Sequence, residues 1–102
     1  MIKDEVYKFG HDPKQMLERD IEKKFVERVK KLGGIAEKFN SANRRSVPDR
    51  IVTLPNGRII FVELKRPGAQ PTFAQYNDHE RRRALGCDVR VISSLEEINA
   101  FP

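Results

Sequence analysis

The chain has 102 residues, a formal net charge of +5, 38% hydrophobic and 34% charged residues. That is enough for one domain with a core, and it contains no apolar run long enough to suggest a membrane span. The single cysteine, Cys87, excludes an internal disulfide and any cysteine-built zinc cluster, and it points to a reducing, cytoplasmic setting.

The N-terminus, Met1-Ile2-Lys3-Asp4-Glu5, shows no apolar signal region. The basic balance points to a polyanionic partner, with nucleic acid first. The absence of tryptophan argues against recognition dominated by base stacking. Residues 1–15 are polar and read as an N-terminal arm, with one domain over residues 16–102. Leu17, Ile21, Phe25, Val29 and Leu32 recur at helical spacing and predict a helix from about Met16 to Leu32, stopped by Gly33-Gly34. Ile35 to Phe39 reads as a short strand, and Asn40 to Ser46, which carries Arg44-Arg45, as a loop.

Two strand-like runs follow, Asp49 to Leu54 and Arg58 to Lys65, joined by the hairpin sequence Pro55-Asn56-Gly57. Arg66 to Pro71 is a loop. A helix is predicted from about Thr72 to Leu85, closed by Gly86, and then a strand from Asp88 to Ser93. Ser94-Leu95-Glu96-Glu97 fits a capping box and predicts a short terminal helix. The order is α-β-β-β-α-β-α.

The chemistry concentrates in Pro48-Asp49 and Glu63-Leu64-Lys65. Residues two apart in a strand share a face, so Glu63 and Lys65 point the same way. Whether Asp49 joins them depends on the hairpin register. A two-residue Asn56-Gly57 loop would set Asp49 opposite Leu64, on the wrong face. A three-residue Pro55-Asn56-Gly57 loop, read as a type I turn followed by a left-handed Gly57, pairs Leu54 with Arg58 and brings Asp49 opposite Glu63. A water-facing strand could also alternate glutamate and lysine. The apolar run Ile59-Ile60-Phe61-Val62 instead implies a strand covered on both faces, which leaves Glu63 and Lys65 as partly buried charges. Two carboxylates suit a hard divalent cation such as magnesium, which polarises a phosphate and acidifies a bound water. The lysine can orient that water and offset transition-state charge. Lys38, Arg44, Arg45, Arg50 and Arg66 are candidate phosphate contacts. Arg81-Arg82-Arg83 forms a further basic run whose side chains cannot all face one partner. His11 and His79 are too isolated for a histidine metal site, and Cys87 is read as a packing residue.

Pro48-Asp49, Glu63-x-Lys65 and the element order resemble the PD-(D/E)xK nuclease superfamily. Gly33-Gly34, Val47-Pro48-Asp49-Arg50-Ile51-Val52, Leu54-Pro55-Asn56-Gly57, Phe61-Val62-Glu63-Leu64-Lys65-Arg66-Pro67-Gly68, Gln75 and Leu85-Gly86-Cys87-Asp88-Val89 narrow the likeness. They look like the virus-type replication–repair nuclease domain, VRR-NUC, in its stand-alone phage and bacterial form, over roughly residues 16–101. The resemblance implies a restriction-endonuclease-like α/β fold around a central mixed sheet. It also implies Mg2+, with Mn2+ as substitute, held by Asp49, Glu63 and the Leu64 carbonyl, and cleavage of DNA. Homodimers acting on branched DNA such as Holliday junctions go with the stand-alone type. A first-helix acid, catalytic and a possible further ligand of the cation, is expected at Glu18 or Glu22; Glu22 is favoured because its spacing from Gly33 resembles that of archaeal junction resolvases. Gln75 is expected to join Asp49, Glu63 and Lys65 as a catalytic-site residue. One departure is Ser46, where the family usually has glycine. A non-catalytic DNA-binding module of the same fold and a sequence-specific restriction endonuclease are the competing functions.

Overall fold

The protein is described by a computed structural model covering residues 16–102; the expected arm, residues 1–15, lies outside the described residues. Helix α1 spans Glu18–Lys31, β1 Ile35–Lys38, β2 Arg50–Leu54, β3 Arg58–Leu64, α2 Phe73–Ala84, β4 Val89–Ile92 and α3 Leu95–Ala100. This is the α-β-β-β-α-β-α order read from the sequence.

Helix α1 is amphipathic and buries Ile21, Phe25 and Val29. Leu17 at its N-cap has no side-chain acceptor, and Asp20 compensates by accepting the Leu17 N–H at 3.1 Å. The two glycines that end the helix do different work. Gly33 takes φ 81°, and its N–H donates to the Lys30 carbonyl at 3.0 Å while Gly34 N–H reaches Val29 at 3.0 Å, a Schellman motif. Gly34 is required for space, since a Cβ there would lie 2.5 Å from the Thr53 carbonyl oxygen.

The four strands form one sheet in the order β1-β2-β3-β4, antiparallel across the first two pairings and parallel between β3 and β4. Helix α2 supplies the crossover that a parallel pairing requires. One sheet face carries Val52, Leu54, Ile60, Val62, Leu64 and Ile92, which pack with α1 and with Ile98 and Phe101 into the core. Phe25 meets Phe101 edge-on at 4.9 Å, and the Arg28 guanidinium donates twice to the Phe101 carbonyl at 2.9 and 2.7 Å. The C-terminal segment is thereby fastened to α1. On the other face β3 is covered only towards its C-terminal end. Glu63 is buried but Ile59 is 44% exposed, so the expectation of a strand covered on both faces holds near Glu63 and fails at Ile59.

The hairpin has the three-residue loop. Leu54 pairs with Arg58 and Arg50 with Val62, which carries Asp49 to the position opposite Glu63. The turn itself differs from the expected type I geometry, because Asn56 takes φ 70° as well as Gly57 at φ 77°. Asparagine is one of the few residues that tolerate the left-handed region, so the register is reached by a different turn. At α3 the Ser94 hydroxyl accepts the Glu97 N–H at 3.1 Å, but the returning arm of the capping box reaches one residue further, with Glu97 Oε1 accepting the Ser93 N–H at 2.8 Å.

Candidate active site

Asp49 enters the site from the residue before β2, where Val47 and Pro48 are buried and fix the approach of the chain. Its Oδ2 accepts the Leu64 N–H at 2.8 Å. Its carboxylate also stands within hydrogen-bonding reach of Glu63. Glu63 is 1% exposed. Burial, then the charge of Asp49 and the hydrogen bond to it, push the Glu63 carboxyl up to about 8 from 4.5; Lys65 opposes this and Glu18 adds to it. Lys65 Nζ lies 3.8 Å from Glu63 Oε2. Asp49, Glu63 and Lys65 therefore converge on one face of the sheet at the C-terminal end of β3.

Helix α2 closes the site from above with polar side chains. Gln75 is set by its own helix start. Its N–H donates to the Thr72 hydroxyl at 3.1 Å, and its Oε1 accepts the Thr72 N–H at 2.9 Å. With Oε1 engaged by a donor, the amide nitrogen must point the other way, and it donates to Glu63 Oε2 at 3.1 Å. The capping box of α2 thus orients a hydrogen bond to the buried carboxylate.

Glu22 and Glu18 separate in space. Glu22 is tied to Arg50 on the core side of the sheet, in a short contact with the guanidinium that also donates to the Ala36 carbonyl at 3.0 Å. Glu18, one turn nearer the helix N-terminus, is the helix acid whose charge acts on Glu63. Both line a cleft of about 230 Å³ together with Lys38, Phe39, Asn40, Asp49 and Arg50. Of the two, Glu18 is the acid whose charge reaches Glu63, while Glu22, the residue favoured from its spacing, is paired with Arg50. Arg50 is correspondingly a structural ion-pair residue, with a side chain only 12% exposed, and not a free phosphate contact.

The remaining basic candidates fall into two groups. Lys38, Arg45 and Arg66 are exposed and make no ion pair among the described residues. Arg44, also exposed, stands 3.6 Å from Asp78. The Arg81–Arg83 run is internally engaged. Arg81 and Arg82 each donate to Asp78 at 2.8 Å, and Arg83 donates to the Val89 carbonyl at 2.8 Å. Arg82 also lies over the rings of Phe39 and Phe61, at 5.1 Å from each.

Asp78, which the sequence reading passed over, and His79, read there only as too isolated for a histidine metal site, are both fully buried. Three arginines surround Asp78, and the bonds from Arg82 and Arg81 hold its carboxyl below the usual range against the cost of burial. His79 Nε2 lies 3.7 Å from Glu63 Oε1, and both atoms are buried without a hydrogen-bond partner. Burial, followed by Arg83, keeps the His79 ring below its ordinary value. The signal for His79 was its spacing: it follows Gln75 by one helical turn and must share its face.

Among the described residues no group of three or more His, Cys, Asp or Glu side chains is set to hold a metal ion. Magnesium does not need one, since it retains several waters and takes one or two carboxylates. The adjoining Asp49 and Glu63 carboxylates, with an unpartnered buried oxygen on Glu63, fit that requirement.

No family model matches the chain. A protein of Acyrthosiphon pisum secondary endosymbiont phage 1, described as "Putative nuclease p44", is 53% identical over 85 residues, which is 83% of this chain and 91% of that protein. A solved structure described as "VRR_NUC domain" matches with a TM-score of 0.77 at 36% identity, over 81% of this chain and 90% of that one. Identity at this level, spanning nearly all of the phage relative, joins a fold shared with the VRR_NUC structure, and the chain belongs to the VRR-NUC family.

Proposed function

We propose that this chain is a metal-dependent endodeoxyribonuclease that hydrolyses phosphodiester bonds, acting on branched DNA as a homodimer. The observation that carries the nuclease reading is the buried Glu63 carboxyl beside Asp49, with Lys65 Nζ 3.8 Å from Glu63. Family membership supports it, and so does the description of the phage relative as a nuclease.

Asp49 and Glu63 would hold the cation, with the Leu64 carbonyl oxygen as a further donor. When bound, Mg2+ or Mn2+ supplies charge neutralisation at the phosphate and a water acidic enough to ionise near neutral pH. Lys65 orients the attacking water and faces the charge that develops on the phosphoryl oxygens. Gln75 keeps Glu63 Oε2 turned towards the site. Glu18 adds negative charge on the side open to solvent. Lys38, Arg44, Arg45 and Arg66 offer exposed cationic groups to the backbone phosphates.

The branched substrate and the twofold assembly are supported by the likeness to stand-alone members and by symmetry. One domain presents one site, and opposed cuts in a four-way junction need two. Cleavage of linear duplex and four-way DNA, each with Mg2+ and with EDTA, tests the reading together with light scattering. Cation-dependent cutting of the junction by a dimer is the expected result. No cutting of either substrate with Mg2+ would leave a DNA-binding module. Equal nicking of linear duplex by a monomer would leave the nuclease and remove the junction specificity and the dimer.

A further inference from the structure

The buried face of α2 is a polar stripe: Gln75, Asp78, His79 and Arg82 recur at helical spacing and point inward. Gln75 binds Glu63, while Asp78 and Arg82 bind each other. His79 alone ends on an unpartnered nitrogen, and the atom it faces, Glu63 Oε1, is unpartnered as well. Two buried orphans 3.7 Å apart are a costly arrangement unless they close on each other, because each forfeits a hydrogen bond to water.

We propose that His79 is a positioning residue for Glu63, donating its Nε2–H to Oε1 and fixing the rotation of the carboxylate for cation binding. The inference rests on the reading of Asp49 and Glu63 as cation-holding groups. Hydrogen-bond inventory gives the direction. With a cation bound Glu63 is ionised and only accepts, so the ring nitrogen that meets it must then carry the proton. A carboxylate has about four acceptor positions. Gln75 takes one on Oε2 and His79 one on Oε1, which leaves the outer position of each oxygen for Lys65 and for a cation shared with Asp49. Closing from 3.7 Å to an ordinary hydrogen bond of about 2.9 Å needs a side-chain shift of less than about 1 Å. His79 is 1% exposed and faces Glu63 Oε1, so it acts through Glu63 and not as a ligand itself. Groups that brace a ligating carboxylate in this way typically change metal affinity by about 10- to 100-fold when removed.

The test is Mn2+ binding by the DNA-free protein, read from the electron paramagnetic resonance signal of unbound Mn2+, with the thermal midpoint of the cation-free protein measured in parallel. His79→Leu fills similar volume without a donor, and His79→Gln places an amide N–H close to the Nε2 position. Wild type and His79→Gln should bind Mn2+ within about threefold of each other, and His79→Leu about 10- to 100-fold more weakly, while the cation-free midpoint of His79→Leu does not fall. His79→Met, flexible enough to fill the same space, replaces the leucine variant should that fail to fold. An apolar variant that binds Mn2+ as tightly as wild type overturns the proposal, as does equal weakening in the glutamine variant. Failure of the wild type to bind Mn2+ at all would instead remove the cation reading beneath it, and the inference with it.

Discussion

Replacing Glu63 with glutamine should stabilise the cation-free protein, by an amount that grows with pH. In the unfolded chain this carboxyl ionises near 4.5, whereas in the fold it holds its proton up to about 8. Between those values the native state binds more protons than the unfolded state, so stability falls as pH rises. The gap of 8 − 4.5 = 3.5 pH units sets a ceiling of about 5 kcal/mol. Side-chain relaxation and water entry reduce a buried-charge penalty well below such a ceiling, and a loss on the order of 2 kcal/mol is expected. His79 acts oppositely and at lower pH. Its folded value lies below 6.5, so its contribution is present above that value and is lost as pH falls. The window that isolates Glu63 therefore runs from about pH 6.5 to about pH 9. Urea denaturation in EDTA across that window is the assay. Wild type should weaken steadily while Glu63→Gln stays level and ends more stable, and millimolar Mg2+ should flatten the wild-type slope by favouring the ionised carboxylate. A wild-type stability that is level or rising over this range without cation, or a Glu63→Gln variant weaker than wild type at its alkaline end, would refute the reasoning.

Lys65→Ala should lower single-turnover cleavage by about 100-fold or more, the scale seen when one preorganised transition-state donor is lost. Its DNA affinity should change little, as a filter-binding titration would show, because one phosphate contact is a small part of the total. Glu18→Gln should slow cleavage more than Glu22→Gln. Glu22→Gln should instead cost about 1 to 2 kcal/mol in chemical denaturation, because it leaves the largely buried Arg50 guanidinium short of its carboxylate. Gly34→Ala should destabilise by about 1 to 3 kcal/mol in the same assay, since the new methyl meets the Thr53 carbonyl. Gly33→Ala should cost less, having only the left-handed backbone to pay for.

Much of the framework was legible because local chemistry determines it. Gly33-Gly34 ends α1, Pro55-Asn56-Gly57 spaces the hairpin, and that spacing decides whether Asp49 meets Glu63. Every element was placed to within about two residues. The turn was misread in kind but not in length, and length alone sets the register. What stayed hidden depends on where one element sits against another. Glu18 and Glu22 lie on the same arc of α1, so a helical wheel cannot separate them; only the position of the sheet's end relative to the helix does, and it leaves Glu22 opposite Arg50. Helix α2 hid more, for a different reason. Hydrophobic periodicity finds buried faces by their apolar residues, and this helix buries Asp78 and His79 while Phe73 and Tyr76 are 80% and 51% exposed. Its inward face is written in polar residues at the spacing usually sought in apolar ones. Gln75 was recognisable by family likeness, and counting one turn onward from it would have reached His79.

The most direct test of the central claim is an anomalous-difference map from crystals of the protein soaked with Mn2+. The account predicts a peak bonded to both Asp49 and Glu63, with metal–oxygen distances close to about 2.1 Å, and loss of that peak in Glu63→Gln. A peak that touches neither carboxylate, or one that persists unchanged in the variant, would contradict it.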